Sequence, residues 1–104
     1  MTMASTIIHR QEPDNVVRVM FQLTHLVAAD TTFKDDIRNV VPPETKSLIV
    51  DMRNVQAIDS SGLGSLLSLP RILPPNIRIR LIHLKPSVRS VVEMMHLGPT
   101  FSVD

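Results

Sequence analysis

The stretch that most constrains this chain is Ser47-Leu48-Ile49-Val50-Asp51-Met52, bounded by Lys46 and Arg53. A short apolar run between charged residues is the pattern of a strand buried on both faces, as at the centre of a parallel sheet. A parallel neighbour can be reached only by a crossover, usually a helix. The run therefore predicts a chain that alternates strand and helix on either side of it.

The flanking sequence supplies that alternation. Ile7 and Ile8 open an apolar segment, Glu12-Pro13-Asp14-Asn15 provides turn formers, and Val16-Val17-Arg18-Val19-Met20-Phe21 follows, which together predict a β-hairpin. From Ala29 the residues turn polar. Asp30 is placed to cap a helix carrying Phe33, Ile37 and Val40 or Val41 at helical spacing, and Pro42-Pro43 ends it.

After the central strand, Ile58 to Leu69 reads as a turn and a helix whose apolar face carries Leu63, Leu66 and Leu67. Pro70 limits that helix to roughly two turns. Pro74-Pro75-Asn76 forms a loop, and Ile77 to Ile82 alternates at period two before running into His83 and Leu84. Pro86 suits the first position of a last helix, with Val88, Val91, Val92 and Met95 on its apolar face and Gly98-Pro99 as its stop. Met94 and Met95 are expected to pack on the sheet with those valines, although exposed methionines suit adaptable partner surfaces. Phe101-Ser102-Val103 is a short closing strand.

The order is ββαβαβα(β), an α/β fold: a mixed, mostly parallel β-sheet with helices packed against it and right-handed crossovers. A chain of 104 residues can bury one core, so residues 1–104 are expected to form a single domain.

Composition narrows the function. With 11 Lys and Arg against 10 Asp and Glu, there is no electrostatic case for nucleic-acid binding, and the absence of Trp and Tyr removes stacking platforms. Without cysteine there is no disulfide, thiol nucleophile or cysteine metal site. The first residues lack a basic region followed by an apolar one, and no apolar run approaches the roughly 20 residues of a membrane span, so a cytoplasmic address is expected. His9, His25, His83 and His96 are scattered, and Asp35, Asp36 and Glu44 form no recognisable dyad. No catalytic residue, metal ligand or cofactor is assigned, and the chain is read as a non-enzyme.

One motif stands out. Asp59-Ser60-Ser61-Gly62-Leu63-Gly64 lies where the central strand should hand over to a helix, at the carboxyl edge of the sheet where open α/β folds place their sites. A hydroxyl at a helix start can accept a phosphate, because free N–H groups and the helix dipole stabilise it. The added charge, about −1.5 to −2, would disfavour a partner surface already matched to Asp59. Gly62 and Gly64 remove side chains beside the serines and so would let a partner or a nucleotide phosphate come close to the backbone. The simpler use of Asp59 with Ser60 or Ser61 is to cap the helix. The motif lacks the glycine of a nucleophile elbow and the lysine of a phosphate-cradling loop.

An apolar strand ending in Asp, followed by Ile58-Asp59-Ser60-Ser61-Gly62-Leu63-Gly64 and Leu66-Leu67, resembles the signature of STAS domains. Ile77 to Leu84, then Lys85-Pro86-Ser87-Val88, and Leu97-Gly98 before Phe101 look like that family's next strand, helix and closing segment. Leu26 to Ile37 resembles its first helix. Gln22-Leu23-Thr24-His25 departs from the family's usual Gly-x-Leu-Asp.

The resemblance is to anti-sigma factor antagonists in particular. It implies that Ser60 is the phosphorylated residue and that the unmodified protein captures a serine kinase that is also an anti-sigma factor, with a histidine-kinase-like ATPase fold. Phosphorylation of Ser60 would end the capture, and a serine phosphatase would restore it. By the same resemblance Asp59, Ser61, Gly62, Leu63 and Gly64 belong to the partner surface, with Arg89, Glu93 and Met94 of the last helix beside it. The family also includes cytoplasmic subunits of lipid-transport ABC complexes and switches of stress or biofilm pathways, which are the alternative roles.

Overall fold

The computed structural model describes residues 6–27, 32–95, 97 and 99–104. Strands β1 (Ile7–Glu12) and β2 (Val16–Phe21) form the expected hairpin, antiparallel and in register from Ile7 opposite Phe21 to Glu12 opposite Val16. Its turn needs two successive left-handed residues, supplied by Asp14 (φ 66°) and Asn15 (φ 61°), types that tolerate this region better than most.

Strand β3 (His25–Leu26) and helix α1 (Thr32–Val40) follow. The expected cap at Asp30 lies outside the described residues, as does Ala29, where the polar stretch begins. Phe33 and Ile37 are fully buried as their spacing requires, and Phe33 meets Phe21 edge to face, centroids 5.3 Å apart. Leu26 is not helical. It is a buried strand residue, because its backbone pairs with a second short strand far along the chain.

Next come β4 (Ser47–Asp51), β5 (Ala57–Ile58), α2 (Ser60–Leu67), a 3₁₀ turn at Leu69–Arg71, β6 (Arg78–Ile82), α3 (Pro86–Glu93) and β7 (Phe101–Val103). The main sheet has the order β1-β2-β4-β6-β7, parallel except for the hairpin. A second, two-residue parallel pair joins β3 to β5. Proline acts as expected: Pro70 ends α2 in the 3₁₀ turn, and Pro86 opens α3. Helix α3 stops earlier than Gly98, which lies outside the described residues together with His96. Its C-cap is Met94, so Met94 and Met95 fall beyond the last turn and are 82% and 49% exposed, while Val88 and Val92 are buried. The expectation that both methionines pack in the core is therefore corrected.

The core occupies one face of the sheet. Val17, Leu48, Ile79 and Phe101 form one row across the strands, and Val19, Val50 and Leu81 form the next. These rows and the buried residues of α1, α2 and α3 make one continuous cluster. Side chains alternate along a strand, so the other face carries Ile8, Met20, Arg10, Arg18, Ile49 and Arg80. None of these is fully buried. The reading of β4 as buried on both faces is corrected accordingly: Leu48 and Val50 are covered, whereas Ser47 and Ile49 are only partly so.

Candidate functional site

The serine turn is positioned by backbone bonds on all sides. Beyond β4, the Met52 amide donates to Ile82 O (2.9 Å), and the Asn54 side-chain amide donates to Phe21 O (2.9 Å), fixing the exit from the sheet. Gln56 N donates to Thr24 O at 2.7 Å, and Asp59 N to Leu26 O at 3.2 Å. The small β3–β5 pair is thus a clip that delivers the chain to Asp59. Sequence reasoning missed it because a two-residue strand has no periodicity to detect.

Asp59 caps α2. Its backbone is extended (φ −97°, ψ 176°), its Oδ1 accepts from Gly62 N at 2.6 Å, and its carbonyl accepts from Leu63 N at 2.9 Å. Below the cap, Leu63 and Leu66 are buried and hold the helix on the core. With the cap supplied by a carboxylate, the hydroxyls of Ser60 and Ser61 are left over. Both serines are exposed, and neither hydroxyl has a protein hydrogen-bond partner among the described residues. Their amides belong to the unsatisfied first turn of the helix, which favours negative charge.

The two glycines have opposite roles. A Cβ on Gly62 would sit 2.0 Å from Leu26 O, so this glycine lets α2 rest directly on the β3 backbone of its own chain. It does not open a path for a partner. Around Gly64 nothing lies within 4 Å of where a Cβ would be, and the residue is exposed, so here the expected clearance for a partner exists.

Arg89, Glu93 and Met94 lie on or just after α3, which packs against β5 immediately before the serine turn. Ser87 Oγ donates to Gln56 O at 3.3 Å across this contact. The described bonds of Arg89 and Glu93 run to each other, at 3.3 Å, and from Arg89 to the Asp104 carbonyl, not to the serines. Met94 is the freest of the three.

A second feature was not singled out from the sequence. At the carboxyl end of β4, Asp51 is buried and accepts from Arg53 three times: from the backbone amide at 3.0 Å, from Nε at 2.9 Å and from NH2 at 2.7 Å. Burial pushes the Asp51 carboxyl up, but these bonds outweigh it and hold the group below the usual carboxylate range, with a raised Arg53 opposite. Beside this pair lies a depression of about 310 Å³ lined by Ile8, His9, Arg10, Arg18, Met20, Asp51 and Arg53. The alternation of Arg78 and Arg80 with Ile79 and Leu81 was the available sign of a cationic outer face.

The sheet order and the serine-bearing start of α2 define a small mixed α/β domain whose candidate site follows β5 of the small pair and not, as the sequence suggested, the central strand directly. The chain belongs to the STAS domain family, whose model matches residues 8–104. Among solved structures it is similar to an anti-sigma factor antagonist from Mycobacterium paratuberculosis, with 20% identity and a TM-score of 0.76 over 94% of this chain and 83% of that one. It is also similar to the anti-sigma factor antagonist SpoIIAA in its unphosphorylated form, with 18% identity and a TM-score of 0.59 over 92% of this chain and 86% of that one. At these identities the likeness shows the fold. No curated protein matches the chain. Among the described residues, no helix is long and apolar enough to cross a membrane.

Proposed function

We propose that this protein is a bacterial anti-sigma factor antagonist that works by binding and performs no catalysis. Its unphosphorylated form captures a serine kinase that doubles as an anti-sigma factor. Phosphorylation of Ser60 ends the capture, releasing the kinase to hold its sigma factor again, and a serine phosphatase resets the switch. The observation that carries this reading is the uncommitted Ser60 hydroxyl, exposed at a helix start whose cap is already supplied by Asp59. A phosphate there meets free N–H groups from within the chain and places about two negative charges on the outer surface. The fold is unaffected and the binding surface is changed. The antagonists of similar fold, one of them described in its unphosphorylated form, support the same reading.

Within this proposal Asp59, Ser61 and Gly64 frame the contact, and Met94 extends it beyond α3. Gly62 and Leu63, which the sequence also placed on the partner surface but which are buried, hold it in place from beneath. The test is affinity capture from lysate of the source cell with wild type, Ser60→Ala and Ser60→Asp as parallel baits, bound proteins being identified by mass spectrometry. A histidine-kinase-like ATPase held by wild type and Ser60→Ala, and held at least about tenfold more weakly by Ser60→Asp, is the expected result. An ABC ATPase captured equally by all three would instead assign the chain to a transport complex.

A further inference from the structure

The sheet face opposite the helices carries its own recognition chemistry. Two rows of side chains cross it: Ile8, Met20, Asp51 and Ile82, then Arg10, Arg18, Ile49 and Arg80. Strands lie about 4.8 Å apart, so the second row lines up three arginines across about 15 Å with an isoleucine among them. Ile8 is 48% exposed, and no described helix covers it. In all, five guanidinium groups (those two rows plus Arg53 and Arg78) face three carboxylates, Glu12, Asp51 and Asp104, leaving the face cationic among the described residues.

The ion pairs hold the arginines in place without using them up. Glu12 Oε2 accepts from Arg10 NH2 at 2.7 Å and from Arg18 Nε at 2.9 Å, and Asp51 accepts from Nε and NH2 of Arg53. Each guanidinium keeps donors that point away from its acid. A pinned arginine loses little rotamer freedom on meeting a second carboxylate, which favours recognition of carboxylates.

We infer that this open face docks an acidic amphipathic helix of a partner protein, which sets an apolar side chain into the depression between Ile8 and Met20 and its carboxylates over Arg10, Arg18 and Arg80. A second copy of this chain would bring two cationic faces together. An anionic bilayer would need several protruding apolar side chains, whereas on this face Ile8 alone is half exposed among the apolar residues of the two rows, and Met20 and Ile49 are only partly exposed. The surface lies across the sheet from α2, so it operates independently of Ser60.

The probe is an acetylated, amidated peptide of about 20 residues, long enough to be helical, with leucines at i, i+3, i+4 and i+7 and glutamates flanking them. It is titrated into ¹⁵N-labelled full chain beside the same peptide with lysine replacing glutamate, phosphatidylglycerol vesicles, and a sedimentation series of the protein alone. The expected result is saturable shifts confined to β1, β2, β4 and β6 with the acidic peptide only. Arg80→Glu and Ile8→Glu should each weaken binding at least about tenfold, and Ser60→Asp should leave it unchanged. Both positions are half exposed, so the variants are expected to fold, and thermal melts check that they do. Several results would overturn the inference: no shifts, shifts centred on the helices, equal binding of both peptides, or binding of the vesicles or of a second copy through this face.

Discussion

Consecutive residues of β4 meet opposite surroundings. Leu48 is fully buried between the sheet and the helices, while Ile49, one peptide further on, looks out from a face that no described helix covers. The two side chains have the same number of carbons and the same strand geometry, and they differ only in which layer lies above them. The difference teaches that a continuous apolar run states hydrophobicity but not which face is covered. Alternation in the neighbouring strands carries that information.

The largest expected effect tests this contrast directly. Leu48→Ala should cost about 2–5 kcal/mol, since it opens a cavity in a packed layer, whereas Ile49→Ala should cost about 1 kcal/mol. Urea midpoints of the two variants measure both, and equal losses would mean the outer face is covered after all. Next is Gly62→Ala, in the layer of α2. An added methyl would collide with Leu26 O, which is backbone and cannot swing aside, so a loss of about 1–3 kcal/mol is expected in the same assay.

On the open face, Asp51→Ala removes the acceptor of three Arg53 bonds and should cost about 1–2 kcal/mol. Because Asp51 is held below the usual carboxylate range in the fold, its contribution is fully present above about pH 4 and is lost as pH falls further through the folded value. Stability curves of wild type and Asp51→Asn should therefore converge in acid, and parallel curves would refute the pairing. The smallest effect has the opposite sign. Gly64→Ala, with open space around it in a helix interior, should stabilise by about 0.5–1 kcal/mol, measurable as a small rise in the thermal midpoint.

Much of the fold could be read from residue pattern. The hairpin, the helix start at Pro86, the break at Pro70 and the closing strand at Phe101 each have a local cause, such as a turn former, a ring that removes a donor or a short apolar triplet. What could not be read depended on contacts between distant segments. Leu26 reads as helical because the partner that makes it a strand residue, Ile58, lies 32 residues further on. Met95 has helical spacing from Val91 and Val92, yet α3 ends at Glu93. At the candidate site, Asp59 and Ser60 were legible as a helix start, but which of them caps it depended on atomic positions. Gly62 and Gly64 look alike in sequence, and only the backbone of β3 separates their roles.

The contact between Gly62 and Leu26 O also bears on how such a surface can change over time. Main chain rests on main chain there, so the place of the Ser60 hydroxyl is set by that contact together with the Asp59 cap. On the proposed function, substitutions at Ser61, Gly64 or Met94 would therefore alter partner preference while the Ser60 hydroxyl stays where it is. Under that proposal, a chain built this way could acquire a new partner without having to rebuild its switch.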